Sequence, residues 1–384
     1  MKEQDKSHAA QELESKPTST SESVIAASTS APTDPDVVLH VEHMTKHYPI
    51  KKGLFAKSKT YVHALEDVSF DVHRGETFSI VGESGCGKST AGKCILRLTE
   101  PTSGKVMLNG TDFTALSGKA LLTARQKMKL IFQDPYSSLN PRMTVRDIIA
   151  EPIDIAHSYS TRAEREQRIE EVMEQVGLDL SYKNRYPHEF SGGQRQRIGI
   201  ARAIALVPEL IVCDEPVSAL DVSVQAKVIN LLAKLKQKLG LSYIFISHDL
   251  SVVKHISDTV MVMYLGHVLE KASKDALFAK PQHPYTKGLL NVIPQIGHER
   301  IQDKVILEGD VPSPTHPPKG CVFHTRCPFV MDICKREVPT LQEIEPGHVC
   351  ACHLMDKRTS QLHTRLDEAA RALDNKVPSM DASS

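Results

Sequence analysis

The chain has 384 residues, and at about 150 residues per domain this length predicts two or three structural units. Its 47 lysines and arginines balance 47 aspartates and glutamates, so no net positive charge favours a nucleic acid as a partner. The sequence has no apolar run of the roughly 18 residues that span a bilayer, and no apolar signal segment follows its first residues. We therefore expect the eight cysteines to be reduced thiols rather than disulfides.

A polar tail precedes the first structural unit. Residues 1–35 are rich in Ser, Thr, Ala, Glu and Pro, a composition that predicts disorder. Strand patterns follow at residues 37–41 and 65–72. Residues 78–81 then form a short apolar strand that a glycine-rich loop joins to a helix, which is half of a parallel βα unit. This order predicts an α/β fold over residues 36–280.

A helical subdomain is expected at about residues 140–205, between strands of the sheet. Its clearest helix has Thr161 and Glu164 at the spacing of a capping box. Strand and helix alternate again after this subdomain, which completes the sheet. Beyond it, proline and cysteine become frequent, and we expect a small C-terminal unit at residues 281–356, followed by a helix and a polar tail at residues 357–384.

The glycine-rich loop matches the pattern G-x-x-x-x-G-K-[ST] between a strand and a helix, the context that this motif requires. Its backbone N–H groups close around phosphates, Lys88 adds positive charge, and Ser89 can bind Mg²⁺. We call residues 82–90 the phosphate loop. Its candidate nucleotide-binding residues are Gly82, Ser84, Gly85, Gly87, Lys88, Ser89 and Thr90.

Two adjacent carboxylates follow a later apolar strand. Asp214 is the candidate Mg²⁺ ligand, and Glu215 is the candidate group that polarises the attacking water. The base-reading N/T-K-x-D sequence of GTPases does not follow a suitable strand. The pair therefore predicts hydrolysis of ATP with Mg²⁺ as cofactor.

The sequence Phe190-Ser191-Gly192-Gly193-Gln194 resembles the signature motif of ATP-binding cassette (ABC) proteins, with phenylalanine where leucine is most frequent. The serine and glycines at a helix start form an anion site. The resemblance implies that this motif caps the γ-phosphate held by a partner cassette. It also implies a P-loop NTPase fold with a RecA-like core, an antiparallel β subdomain and an α-helical subdomain.

Further motifs of the same family follow in order. By resemblance, Gln133 is the Q-loop residue that reaches Mg²⁺ and the membrane subunits, Asp221 belongs to the D-loop, and His248 is the switch histidine that contacts the γ-phosphate. Tyr48 is similar in position to the aromatic residue that stacks on adenine, and Tyr61 is the alternative. Glu215, His248 and Gln133 are thus the catalytic candidates.

Segments 48–55, 133–141 and 283–286 resemble those of oligopeptide/dipeptide importer ATPases. The resemblance implies an ATPase subunit that drives peptide uptake across the bacterial inner membrane. Importers of nickel, glutathione or antimicrobial peptides are the alternatives. A soluble cassette acting on ribosomes or DNA and a noncatalytic regulatory cassette are less favoured, because the sequence has one cassette, no long coiled coil, and retains both Glu215 and His248.

Expected partners also follow from the resemblance. One cassette cannot complete an ATP site when each signature serves the opposite nucleotide, so we expect a second, homologous ATPase subunit in a heterodimer. Two transmembrane permease subunits and, indirectly, an extracytoplasmic peptide-binding protein complete the assembly, and no nucleic acid is expected. The chain would lie at the cytoplasmic face of the inner membrane as a peripheral subunit.

The C-terminal unit has four cysteines, Cys321, Cys327, Cys334 and Cys352, in the pattern C-x5-C-x6-C-x17-C. Four thiolates can bind an iron–sulfur cluster or zinc. Members of the resembled branch carry a [4Fe–4S] centre in this segment. Zinc and unligated thiols stay open as alternatives, since further candidate ligands lie nearby in sequence, namely His324, His348, Cys350 and His353. Cys94 and Cys213 are expected in the core.

Overall fold

The structure is a computed structural model that describes residues 34–50, 60–291 and 307–356. Residues 1–33 of the tail expected at 1–35, the expected C-terminal helix and most of the basic loop after β1 lie outside these residues. The strands are β1 Val37–Ile50, β2 Thr60–His73, β3 Thr77–Val81, β4 Ser103–Leu108, β5 Thr111–Asp112, β6 Met128–Ile131, β7 Leu210–Asp214, β8 Ser242–Ser247, β9 Thr259–Tyr264, β10 His267–Ser273, β11 Gln342–Glu345 and β12 His348–Cys350.

The helices connect these strands and also form the insert. They are α1 Lys88–Ile95, α2 Gly118–Lys127, α3 Pro135–Ser138, α4 Val145–Ala156, α5 Arg162–Gln175, α6 Gly192–Ile204, α7 Val222–Leu239, α8 Leu250–Ile256, α9 Lys274–Ala279 and α10 Pro284–Leu290. None of the helices within 34–50, 60–291 and 307–356 has the length and apolar character that crossing a bilayer demands.

Two sheets organise the chain. A four-stranded antiparallel sheet has the order β2-β1-β4-β5, and an eight-stranded sheet has the order β11-β12-β10-β9-β3-β8-β7-β6. Within the larger sheet, β6, β7, β8, β3 and β9 pair in parallel. Parallel strands end at the same edge of a sheet, so the loops after β3, β6, β7 and β8 meet there. The α/β fold expected from the sequence is confirmed.

Helices α3 to α6 lie between β6 and β7 in sequence and form the helical subdomain. Thr144 and Thr161 each begin a helix with a capping box, formed with Asp147 and Glu164 respectively. The buried faces of α4, α5 and α6 share one apolar core with α7. The capping box expected at residues 161–164 is therefore present in the structure.

The C-terminal segment, defined here as residues 281–291 and 307–356, continues the larger sheet. Strand β12 pairs with β10, where Cys350 lies opposite Glu270. The Glu270 carboxylate is fully buried and lies 2.7 Å from His348 Nε2. It also accepts hydrogen bonds from the backbone N–H groups of Gln282 and His283. One buried carboxylate of β10 thus contacts three residues of the C-terminal segment. The domain boundary at residue 281 stays a prediction.

The helix α7 offers a direct test of the core. Leu232 is fully buried against the helical subdomain, so Leu232→Ala is expected to lower the free energy of unfolding by about 2–5 kcal/mol. Val222 begins the same helix and is 81% exposed, so Val222→Ala is the matched control and should change stability by less than about 0.5 kcal/mol. Urea unfolding followed by circular dichroism measures both; equal midpoints for the two variants would contradict this packing.

Candidate nucleotide-binding and catalytic site

The phosphate loop joins β3 to α1 and has little freedom. Gly82 and Gly87 have φ angles of +151° and +107°. A Cβ atom on Gly82 would lie 2.2 Å from the Met263 carbonyl oxygen, and one on Gly87 would lie 2.3 Å from the Ala64 carbonyl oxygen. Both positions therefore require glycine. The Lys88 ammonium is buried and donates to the carbonyl oxygens of Gly82 at 2.8 Å and Glu83 at 2.9 Å.

A cavity of about 760 Å³ opens over this loop. Tyr48 lines it, paired across the β1–β2 ladder with Val62, which also lines it. The alternative aromatic residue, Tyr61, is not among the lining residues of the described chain. The other lining residues expected from the sequence are Gly82, Ser84, Gly85, Gly87, Lys88, Ser89, Thr90, Gln133, Glu215 and His248. The phosphate loop, the Tyr48 side chain and the catalytic candidates thus line one cavity.

Two oxygen ligands suited to Mg²⁺ meet where α1 begins. The Ser89 hydroxyl donates to Asp214 Oδ1 at 2.7 Å. Burial raises the pKa of Asp214, while the hydrogen bond from Ser89 and the charge of Lys93 oppose that shift. Hydroxyl and carboxylate oxygens are the donors that Mg²⁺ prefers, so the pair fits this ion.

Residues of two other loops hold the Glu215 carboxylate, one at each oxygen atom. Gln133 donates through Nε2 to Glu215 Oε2 at 3.0 Å, and His248 Nδ1 lies 3.2 Å from Glu215 Oε1. Glu215 itself has a φ of +46°, a left-handed conformation that is costly for a residue with a side chain. Its backbone N–H donates to the Ile246 carbonyl at 3.0 Å. The site therefore aims one carboxylate at the mouth of the phosphate loop.

The signature residues lie away from this cavity. Ser191 is the N-cap of α6 and forms a capping box with Gln194. Gly193 approaches α7 so closely that a Cβ atom there would lie 2.4 Å from Val224 Cγ1. Gly192 is exposed in the first turn. In the part of the chain that the structure describes, Ser191, Gly192, Gly193 and Gln194 do not line the cavity over the phosphate loop.

Asp221 also lies outside the cavity, as the N-cap of α7. It accepts hydrogen bonds from the Val224 backbone N–H at 2.9 Å and from the Ser223 hydroxyl at 2.8 Å. The hydrogen bond from Ser223 lowers the pKa of the Asp221 carboxyl group below its usual value. Asp221 thus serves as the N-cap of α7 in this chain.

A cluster of two histidines and a glutamate on β1 and β2, next to Tyr48 in sequence, was not predicted from the sequence. Glu66 Oε1 lies 2.7 Å from His47 Nε2 and 2.5 Å from His63 Nδ1. A register shift between residues 46 and 47 lets Glu66 share a side of the strand pair with His63. These are ligand types that zinc uses, yet hydrogen bonding already accounts for the contacts. The cluster joins β1 to β2 beneath the cavity.

The C-terminal segment contributes to the same site, which the sequence reasoning did not anticipate. Leu289 and Pro314 line the cavity. The Tyr285 hydroxyl accepts from the Glu83 backbone N–H at 2.9 Å, and Arg326 pairs with the Glu83 carboxylate. The only sequence signal was indirect: Tyr285 lies in one of the segments that resemble importer ATPases, and Arg326 precedes Cys327.

The four cysteines of the C-x5-C-x6-C-x17-C pattern lie in one neighbourhood. Burial raises the pKa of Cys321 to about 11 and the pKa values of Cys327 and Cys352 to about 12. Negative charge on the other three thiols would raise the pKa of Cys352 further, so all four are close enough to interact. The Cys321 N–H also donates to the Cys334 carbonyl at 2.8 Å. Cys94 and Cys213 are buried in α1 and β7, as expected.

Three candidate zinc ligands have other contacts. His324 Nδ1 lies 2.8 Å from the Cys321 carbonyl, His348 Nε2 contacts Glu270, and His353 Nε2 lies 2.9 Å from the Glu337 carbonyl. Within the described residues, no three cysteine sulfur atoms lie within 4.8 Å of one another. Zn–S bonds of about 2.3 Å would impose a sulfur spacing of roughly 3.8 Å.

Known proteins share both parts of this chain. The family model for ABC transporters matches residues 65–218, and the model for the oligopeptide/dipeptide transporter C-terminal region matches residues 269–334. The oligopeptide transport ATP-binding protein AppF of Bacillus subtilis is 51% identical over 83% of this chain and 98% of its own length. A probable peptide ABC transporter ATP-binding protein, y4tS of Sinorhizobium fredii, is 52% identical over 83% of this chain and 90% of its own length.

Solved structures show the same core. The ATP-binding cassette MJ0796, in a dimeric post-hydrolysis state bound to ADP and Pi, is 30% identical with a TM-score of 0.55, covering 62% of this chain and 98% of that one. CbiO1 of Clostridium perfringens, part of an ABC transporter complex, is 25% identical with a TM-score of 0.55, covering 64% and 92% respectively. This chain therefore belongs to the ABC transporter family of ATPases, in the group that carries the oligopeptide/dipeptide transporter C-terminal region.

Proposed function

We propose that this chain is the ATP-hydrolysing subunit of an importer that moves dipeptides or oligopeptides across the bacterial inner membrane. The observation that carries the proposal is that one chain combines an assembled ATP site with the C-terminal region of oligopeptide/dipeptide transporters. Two relatives whose names assign them to oligopeptide or peptide transport match this chain over 98% and 90% of their own lengths. The use of ATP and the class of transported molecule are thus supported by separate observations.

The site residues have defined roles in hydrolysis. The N–H groups of the phosphate loop and the Lys88 ammonium bind the phosphates, and Tyr48 supports the adenine ring. Ser89 and Asp214 would hold Mg²⁺ together with Gln133, and the ion would supply positive charge against the phosphate oxygens. Glu215 accepts a proton from the water that attacks the γ-phosphorus, while the bond to the β-phosphate oxygen breaks. Gln133 and His248 orient that carboxylate.

A second, related cassette completes the site. Ser191, Gly192 and Gly193 present N–H groups at the start of α6, outside the cavity of their own chain. An anion site of this kind can serve the γ-phosphate held by a partner cassette. The relative MJ0796 is itself dimeric in its solved post-hydrolysis state. We infer a heterodimer in which Asp221, at the start of α7, lies near the same junction.

An apolar groove of about 420 Å³ is the docking surface that we assign to a permease helix. It lies between β6 and α4 and includes the exposed side chains of Leu98, Leu122, Phe132 and Ile155. Three basic residues and one acidic residue line it, which gives the groove a net positive charge that suits an acidic or polar helix end; they are Arg125, Lys129, Arg202 and Glu151. Phe132 directly precedes Gln133, so a helix in this groove would move the residue that contacts Glu215.

We also propose that the chain lies at the cytoplasmic face of the inner membrane, as a peripheral subunit on two permease subunits. An extracytoplasmic binding protein would select the peptide, since the nucleotide cavity and the apolar groove are assigned to ATP and to a permease helix.

Replacement of the catalytic carboxylate tests the function. Glu215→Gln removes the proton acceptor, and we expect hydrolysis at this site to fall about 100-fold or more, with peptide uptake lost. Nucleotide binding should persist, because Lys88 and the phosphate loop are unchanged. Radiolabelled peptide uptake and phosphate release in the reconstituted complex measure both, with Glu174→Gln, at an exposed position of α5, as the control. Undiminished turnover with Glu215→Gln would contradict the catalytic role.

The groove is tested independently of catalysis. Ile155 is 72% exposed in the groove, so Ile155→Asp should reduce copurification of the permease subunits at least about tenfold by placing a charge in an apolar contact. Nucleotide binding by the isolated chain should not change. Val338, which is 61% exposed in the C-terminal segment, provides the control Val338→Asp. Normal permease recovery with Ile155→Asp would exclude this groove as the docking site.

For the four cysteines we propose a [4Fe–4S] cluster rather than zinc. Support comes from their shared neighbourhood, from the other contacts of the three histidines, and from the finding that no three cysteine sulfur atoms of the described residues lie within 4.8 Å of one another. Cys321, Cys327, Cys334 and Cys352 would hold it. The cluster would be a structural or redox group of the C-terminal segment.

Metal analysis of anaerobically purified protein tests this site. We expect about four iron atoms per chain and a broad absorption near 400 nm, both lost in Cys327→Ser, whose half-buried position limits damage to the core. Cys94→Ala, at a buried position in α1, should retain both signals. Zinc in place of iron, or no metal in either protein, would overturn the assignment.

A further inference from the structure

We propose that Arg326 is a positioning residue that holds the phosphate loop through Glu83, so that the C-terminal segment sets the affinity of the cassette for ATP. The inference rests on the ATP site alone and is independent of which molecule is transported. It concerns a residue outside the ATP-binding motifs, separated from Glu83 by 243 positions in the sequence.

The contact between the two side chains is bidentate. Arg326 Nη1 donates to Glu83 Oε2 at 2.6 Å, and Nη2 donates to Glu83 Oε1 at 3.1 Å. The arginine side chain is 6% exposed and that of the glutamate 26%. Paired, charge-assisted hydrogen bonds of this kind fix orientation as well as distance, and partial burial limits screening by salt.

The side chains of three residues hold Glu83, one at each polar group of the residue. Arg326 binds its carboxylate, the Tyr285 hydroxyl accepts from its backbone N–H, and Lys88 Nζ donates to its carbonyl oxygen. Two of these three groups belong to the C-terminal segment. Glu83 lies between Gly82 and Ser84, so holding it holds the turn whose N–H groups must point at phosphate.

Arg326 is itself held rigidly. Its Nε donates to the Glu308 carbonyl at 3.2 Å, and its guanidinium lies over the Tyr264 ring at 5.8 Å. Tyr264 is fully buried at the end of β9, and its ring packs edge-on against Tyr285 and Phe323, with centroids 4.9 and 5.4 Å away. A rigid support means that the pair spends little side-chain entropy on keeping its geometry.

Electrostatics gives the pair a second effect. Glu83 lines the cavity that receives the triphosphate, and its carboxylate is a negative charge at that wall. Arg326 pairs with this carboxylate and neutralises its charge. Without the arginine, the carboxylate is free to turn toward the phosphates and repel them, while the loop loses one of its anchors. Glu215 follows β7 and is held by Gln133 and His248 instead, so nucleotide affinity changes rather than the chemical step.

The test compares nucleotide affinity in matched variants of the full chain. Arg326→Gln should raise the Kd for ATP and for ADP about tenfold, measured with a fluorescent ATP analogue and by calorimetry. In the assembled complex, the KM for ATP should rise while kcat stays unchanged. Lys280 forms an exposed ion pair with Glu345 in the same part of the fold, 2.7 Å long, so Lys280→Gln is the control and should leave affinity unaltered. Arg326→Lys should give an intermediate Kd.

A double variant separates positioning from general damage to the C-terminal segment. If Arg326 acts through Glu83, Arg326→Gln adds little further loss of affinity in a Glu83→Gln background. Equal losses in both backgrounds would show a merely structural role and overturn the proposal. So would an ATP affinity of Arg326→Gln equal to that of the unmodified chain, or a fall in kcat without a change in KM. Peptide uptake is measured separately, so failure of the importer assignment leaves this result interpretable.

Discussion

Parallel pairing of β6, β7, β8, β3 and β9 is the constraint on which the site depends. Because these strands end at one edge, the phosphate loop, Gln133, Glu215 and His248 meet without any of their loops being long. Residues far apart in sequence thereby come within hydrogen-bond distance of one carboxylate. The left-handed backbone at Glu215 is a local cost of that arrangement, which the surrounding ladder of β7 and β8 sustains.

The residues at this edge of the sheet differ in how firmly they are held. The phosphate loop and Asp214 are fixed by glycines, burial and short hydrogen bonds, whereas His248 has a largely exposed side chain. The rigid part is suited to binding, and the exposed part is suited to sensing what another subunit does. Gln133 connects the two parts, because its side chain donates to Glu215 and it directly follows Phe132, which lines the apolar groove.

Local chemistry explains how much of this was predictable. The phosphate loop, the capping box at Thr161 and the strand before Asp214 each have a signal within a dozen residues, and the structure has all three. The contacts of Glu83 with Arg326 and Tyr285 have no such signal, since they depend on how β12 joins β10 and how α10 packs. The Glu66 cluster depends on a register shift, which periodicity cannot reveal. Long-range pairing, rather than residue type, was the missing information.

The distance in sequence between Glu83 and Arg326 also bears on how the protein is made. At about 5–20 residues per second, the 243 residues between them take on the order of tens of seconds to synthesise. During that interval the nascent chain carries a phosphate loop whose carboxylate has no guanidinium partner and whose larger sheet lacks two edge strands. Contacts of such high sequence separation form late in folding. The nucleotide site is therefore complete only after the part of the chain with Arg326 has been synthesised and has folded onto Glu83.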